Sequence, residues 1–227
     1  LKISSTRLIS YAISISIEEA STELIRCGKQ GNVLSAKFLP KGLISFGGGG
    51  LIFNDQNLIT MVSKGFAIPK ISPFLLNLKN AIASLKTLLQ IKKILTGHEL
   101  SEEKVRIALR SAIGATSVFA NFDSDYSDFF TEMRDEVIEF KIEGTEFSFY
   151  LCFSDSKKWE LRNTSCKNST ALLVFSDLFS AYETVSGKFD HLADPALGRV
   201  KLRGNIPLLE KIGYISRRVH KVVPSII

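Results

Sequence analysis

The sequence predicts an α+β fold, and three observations carry that prediction. Strand-like runs joined by tight turns cluster after residue 137, segments with helical periodicity stand before, between and after them, and no internal repeat is visible. The chain has 227 residues, of which 45% are apolar and 23% charged. That length allows one large domain or two modest ones, either able to bury a core. Low hydrophobicity with high net charge, the mark of disorder, is absent, and 15 Gly and 3 Cys exclude collagen-like and disulfide-scaffold chains.

The opening segment alternates. Ile9, Tyr11, Ile13, Ile15 and Ile17 share one parity and Ser10, Ala12, Ser14 and Ser16 the other, which predicts a half-buried strand. Residues 18–27 read as a short helix closed by the turn 28–32. Short β-like runs follow at 33–38, 43–46, 51–53 and 58–62, punctuated by Pro40-Lys41-Gly42, Gly47–Gly50 and 54–57 in the manner of hairpins. A helix is predicted over 73–95, where Phe74, Leu75, Leu78, Ile82, Leu85, Leu88 and Leu89 make one broad apolar face. Lys79 and Lys86 interrupt it, so it is not a membrane span.

Ser101 caps the next helix, with Glu102 and Glu103 in its first turn and Val105, Ala108, Leu109, Ala112 and Ile113 along its stripe. A shorter helix is expected over 127–135. Then the period changes to two. Residues 137–142, 147–153 and 157–161 form a meander of strands, and 171–175 adds a fourth. Asp177 caps a helix with Leu178, Ala181, Tyr182 and Val185 on one side, ending at Gly187. Residues 199–203 make a fifth strand. Asn205 and Pro207 open a last helix carrying Leu208, Ile212, Ile215 and Val219.

Chemical motifs are scarce. Gly47–Gly50 leads into Leu51-Ile52-Phe53 with no Lys-Ser or Lys-Thr after it, so it reads as a flexible or close-packed turn in preference to a phosphate loop. His98, His191 and His220 stand in unrelated contexts, and Asp123, Asp125 and Asp128 lack the Gly and Glu of a calcium loop. Cys27, Cys152 and Cys166 form no ligand cluster and suit reduced, mostly buried thiols of a cytoplasmic protein. No catalytic residue, metal ligand or cofactor is indicated.

Net charge is +6, and its location says more than its size. Lys64, Lys70, Lys79, Lys86, Lys92 and Lys93 all fall between Asp55 and Glu99, where no acidic residue occurs. Charge segregated in this way faces an anionic partner or is merely solvated. The lysines are interleaved with Leu and Ile, not with aromatics or Arg, which argues against nucleic acid. The leading expectation is a helix that packs its apolar face on the domain. A membrane-surface role, with Lys79, Lys86, Lys92 and Lys93 facing anionic lipid, stands beside it.

Residues 171–188, from Ala171 through Ser176-Asp177 to Ser186-Gly187-Lys188, and 197–209, Leu197-Gly-Arg-Val-Lys-Leu-Arg-Gly-Asn-Ile-Pro-Leu-Leu209, resemble the C-terminal half of the sterol carrier protein type-2 domain. The upstream meander with Trp159, and the helices before it, extend the resemblance to about residues 98–221. The family implies a five-stranded, mostly antiparallel sheet covered by helices, enclosing an apolar tunnel for sterols, acyl chains or other lipids, without catalytic residues. Residues 1–97 would then be an N-terminal α/β extension and 98–227 a sterol-carrier-like domain. Phe175, Phe179, Tyr182, Leu192, Leu197, Leu208, Leu209 and Ile212 are the candidate ligand-binding residues. Burying each CH₂ of an acyl chain among such groups is worth about 0.8 kcal/mol. The same residues could instead fill a solid core, making the fold a scaffold for protein partners.

Overall fold

The computed structural model describes residues 4–224 apart from 65–68, 71–74, 131–132, 134, 155, 166 and 191–192. Phe74, Cys166, His191 and Leu192 therefore lie outside the described residues. The chain opens with a helix, α1 (Ser5–Arg26), where alternation predicted a strand over 9–17. The correction has a physical cause. Within the set 9, 11, 13, 15 and 17, spaced by two, Ile9, Ile13 and Ile17 are also spaced by four, and buried positions run most of the way round α1, from Leu8 and Ser10 to Glu23 and Leu24. A helix apolar on nearly every side is one that the fold encloses. Its serines tolerate burial by returning their hydroxyls to the helix: Ser14 Oγ donates to the Ser10 carbonyl at 2.6 Å and Ser21 Oγ to that of Glu18 at 2.8 Å.

Three short strands follow, β1 (Lys37–Leu39), β2 (Leu43–Phe46) and β3 (Leu51–Asn54), paired antiparallel in that order. The expected run at 58–62 is not a strand but the body of α2 (Asp55–Lys64). Asp55 starts that helix and anchors it to α1, accepting from Arg7 Nη1 at 2.9 Å. The next helix, α3 (Leu78–Thr96), is where periodicity placed one, and Leu75 and Leu76 are helical just before it. Its orientation is the reverse of a domain-packing helix. Ala81, Ser84, Thr87, Ile91 and Leu95 face inward, while Leu78, Ile82, Leu85 and Leu89 are exposed. Gly47–Gly50 explains this: a Cβ on Gly50 would lie 2.6 Å from the Ala81 nitrogen, so only small side chains fit between turn and helix. That glycine run is a close-packed turn.

α4 (Glu102–Phe122) begins at Ser101, whose hydroxyl accepts the Lys104 amide at 3.2 Å. It runs beside α1 through small residues, with Ser16 and Ser111 each donating its hydroxyl to the other's carbonyl. Charges are buried along the same seam. Arg106 reaches Glu23 at 2.7 Å and Arg110 reaches Glu19 at 2.6 Å, with Glu23 wholly buried. In place of the helix expected over 127–135, the described residues show one 3₁₀ turn, Ser127–Phe130.

The main sheet comprises β4 (Val137–Ile142), β5 (Ser148–Phe153), β6 (Trp159–Arg162), β7 (Ala171–Phe175) and β8 (Val200–Gly204), in the order β6-β5-β4-β7-β8. It is a mixed sheet where a mostly antiparallel one was expected. Two reversals leave β6 running with β4; residues 163–170 then carry the chain across to the free edge of β4, where β7 starts beside Ile138 and pairs parallel. Register puts Phe140, Phe149, Leu173 and Leu202 on one face, with Ile138, Leu151, Phe175 and Val200. That face packs in one core with α4, α5 (Leu178–Val185) and α7 (Ile206–Val222). The other face carries Glu139, Lys141, Lys201 and Arg203. A single turn, α6 (Ala193–Ala196), precedes β8. The α+β class expected from the sequence is the class observed.

Candidate functional site

The sequence of α4 places small residues on the stripe that faces the sheet: Ala108, Ser111, Ala112 and Ala115. Opposite them, α7 presents Leu209, Ile212, Gly213 and Ser216, again with little bulk at its centre. These helices are held apart by the sheet beneath them and by α1 behind α4, and their small side chains do not fill the space that this leaves. A cavity of about 290 Å³ remains, bounded by α4, α7, the end of α5 and, from the sheet, Phe140, Leu173, Phe175 and Leu202. It opens to solvent on the side of Glu210, Arg217, His220 and Lys221, so it is a cleft that a ligand can enter and not a sealed void. Its size sits at the lower end of ligand pockets.

The wall is mostly apolar, and its charged and imidazole groups all come from one helix. Glu210, Arg217, His220 and Lys221, all exposed, come from the solvent side of α7. Gly187 closes the rim against them. It ends α5 in the left-handed region at φ 77°, and a Cβ there would stand 2.1 Å from His220 Nε2. Inside, the Ser16 and Ser111 hydroxyls are satisfied by each other's backbone. Such a chamber can shed water from an apolar chain and hold a polar end at its mouth.

The candidate residues scatter around this site. Phe175, Leu209 and Ile212 line it. Leu208 is fully buried in the core beneath α7, and Tyr182 packs at the core's margin under Lys104, whose Nζ stands 4.8 Å from the ring centroid. Phe179 and Leu197 point to solvent, 56% and 66% exposed. Sequence reasoning sought large apolar residues and so passed over the alanines of α4, the glycine and serine of α7, and the sheet's Leu173 and Leu202. The available signal was the pair Ala108 and Ala112, small residues four apart on an otherwise leucine- and valine-bearing stripe.

Elsewhere, burial pushes the Cys27 thiol up, away from the reactive thiolate range. Among the described residues no group of three or more His, Cys, Asp or Glu could hold a metal ion, and no helix is long and apolar enough to cross a membrane. Neither a family model nor a curated protein matches the chain. Six chains of solved structures do. One is described as a UbiJ-SCP2 ubiquinone synthesis protein, with a TM-score of 0.38 and 12% identity over 48% of this chain and 88% of its own. Another is the sterol carrier protein domain 2 of Helicoverpa armigera, with a TM-score of 0.40 and 13% identity over 52% of this chain and 92% of its own. The likeness is thus to sterol carrier protein 2 domains, over about half of this chain and most of each of theirs.

Proposed function

We propose that the protein binds a lipid or other hydrophobic ligand non-covalently in the cavity between α4, α7 and the sheet, and catalyses no reaction on it. One observation carries the reading: a mostly apolar cavity of about 290 Å³ between the sheet and the small residues of α4 and α7, open to solvent at one side. The apolar end of the ligand lies among Ala112, Phe175, Leu173 and Ile212, and any polar end meets Arg217, His220 and Lys221. The energy comes from apolar surface removed from water, about 25 cal/mol per Å². Loading and unloading take place at an anionic membrane surface, toward which Lys79, Lys86, Lys92 and Lys93 supply charge. The sequence resemblance of residues 98–221 to the sterol carrier family implies the same ligand class. The cavity supports this reading over a scaffold with a filled core.

Titration with an environment-sensitive fluorescent fatty acid tests it. The wild type should show saturable enhancement, and Ala112→Phe, which places a ring in the chamber, should lower affinity at least about tenfold, equivalent to some 1.4 kcal/mol. Absence of saturable binding, or binding untouched by Ala112→Phe in a folded variant, contradicts the proposal.

A further inference from the structure

The outward face of α3 is an exposed apolar stripe. Leu78, Ile82, Leu85 and Leu89 recur at three and four along it, and two more exposed leucines, Leu75 and Leu76, precede it across the break at Asn77. Their exposure is large for leucine: 65% at Leu75, 82% at Leu76 and 57% at Leu89. Single exposed leucines are ordinary on protein surfaces, whereas a contiguous row marks a contact. The row cannot be turned inward. The opposite face is held against the Gly47–Gly50 turn, where Gly50 leaves room only for Ala81, and it is pinned by Thr87 Oγ1, which accepts the Asn32 amide at 3.1 Å.

Charge selects the occupant. Lys79, Lys86 and Lys93 recur every seven residues, forming a line beside the leucines, and from Gln56 to His98 the chain carries no carboxylate. All three are exposed. Lysine is a compact cation on a long apolar stem, able to lie along a hydrocarbon boundary and keep its ammonium in the headgroup layer. A helix with leucines on its open face and lysines along the margin fits the plane of an anionic bilayer. A protein groove would offer fixed acceptors, for which arginine forks are better suited. We infer that α3 inserts Leu78, Ile82, Leu85 and Leu89, together with Leu75 and Leu76 just before it, into the interface of an anionic membrane, with Lys79, Lys86 and Lys93 holding its headgroups. The inference rests on the membrane role proposed above and not on the cavity.

Co-sedimentation with phosphatidylcholine vesicles, with and without about a third phosphatidylglycerol, tests it, at low and high salt. The wild type should bind the anionic vesicles, with each lysine contributing roughly fivefold at low salt. Ile82→Gln/Leu85→Gln/Leu89→Gln should weaken binding at least about tenfold while melting at the wild-type temperature, because the replaced side chains are exposed. Lys79→Glu/Lys86→Glu/Lys93→Glu should abolish it. Wild-type protein that ignores anionic vesicles, or a glutamine variant that binds like wild type, overturns the inference. So does light scattering that shows the wild type dimeric and the glutamine variant monomeric, since the stripe would then cover a second copy. Ala112→Phe separates this claim from the ligand reading: it should bind vesicles normally whether or not it binds the fatty-acid probe.

Discussion

At Asp177 the carboxylate accepts the Ser180 amide at 2.7 Å and starts α5, whose far end closes the cavity rim. That bond, with help from Ser176, holds the carboxyl below its ordinary value. A lowered acid favours the folded state above its unfolded value, about pH 4, and the contribution is lost as pH falls through the folded value. Asp177→Ala should therefore cost about 1 kcal/mol in urea unfolding at pH 7, and progressively less as the pH is lowered below about 4. Gly50 makes a different demand. A methyl group there meets α3 backbone, which cannot move aside as a side-chain end could. Gly50→Ala should destabilise by about 1–3 kcal/mol, measured by the same unfolding curves.

Elements were legible where one face is buried and one is wet. The five strands of the main sheet, the caps at Ser101, Asp177 and Asn205, and α7 all stand where alternation, helical spacing and capping residues put them. Legibility failed where that contrast fails. α1 is enclosed on most sides, so isoleucines at every second position satisfy both periods and the serines, self-bonded, no longer mark a solvent face. α3 fails in the opposite sense: its largest apolar residues face out, because Gly50 and Ser84 set what can lie inward. Periodicity locates a stripe but does not say what the stripe touches. The seam between α1 and α4 was also hidden, since its ion pairs join residues more than eighty apart. There Glu23 is wholly buried between Arg106 and Arg26. Burial raises the Glu19 carboxyl even against Arg110, so that acid opposes folding as it ionises. Removing Glu23 leaves Arg106 without its closest buried partner. Glu23→Ala should lower stability by about 3 kcal/mol, seen as a fall of the melting temperature by several degrees.

Over the whole molecule, α1 joins the parts into one body. Leu8 and Ala12 belong to the core of the main sheet, Ile13 and Ile17 to that of the three-stranded sheet, and Ala20 and Leu24 to the packing of α3 on α4. The cavity and the leucine face of α3 are therefore carried by one connected scaffold, which is the arrangement that a protein loading lipid from a surface would use. The cavity was only partly readable beforehand. Large residues such as Phe175, Leu209 and Ile212 are visible in a sequence as apolar, but space is made by the side chains that are missing, at Ala108, Ala112 and Gly213. Whether two helices with small residues close on each other or stand apart depends on what else holds them, here the sheet beneath and α1 behind α4.

Native mass spectrometry of freshly purified protein, followed by organic extraction and repeated on Ala112→Phe, tests the central claim most directly. The account predicts wild-type protein carrying close to one lipid, or taking one up from fatty acids, sterols or phospholipids, and a variant that stays bare. Wild-type protein that flies bare before and after such incubation contradicts it.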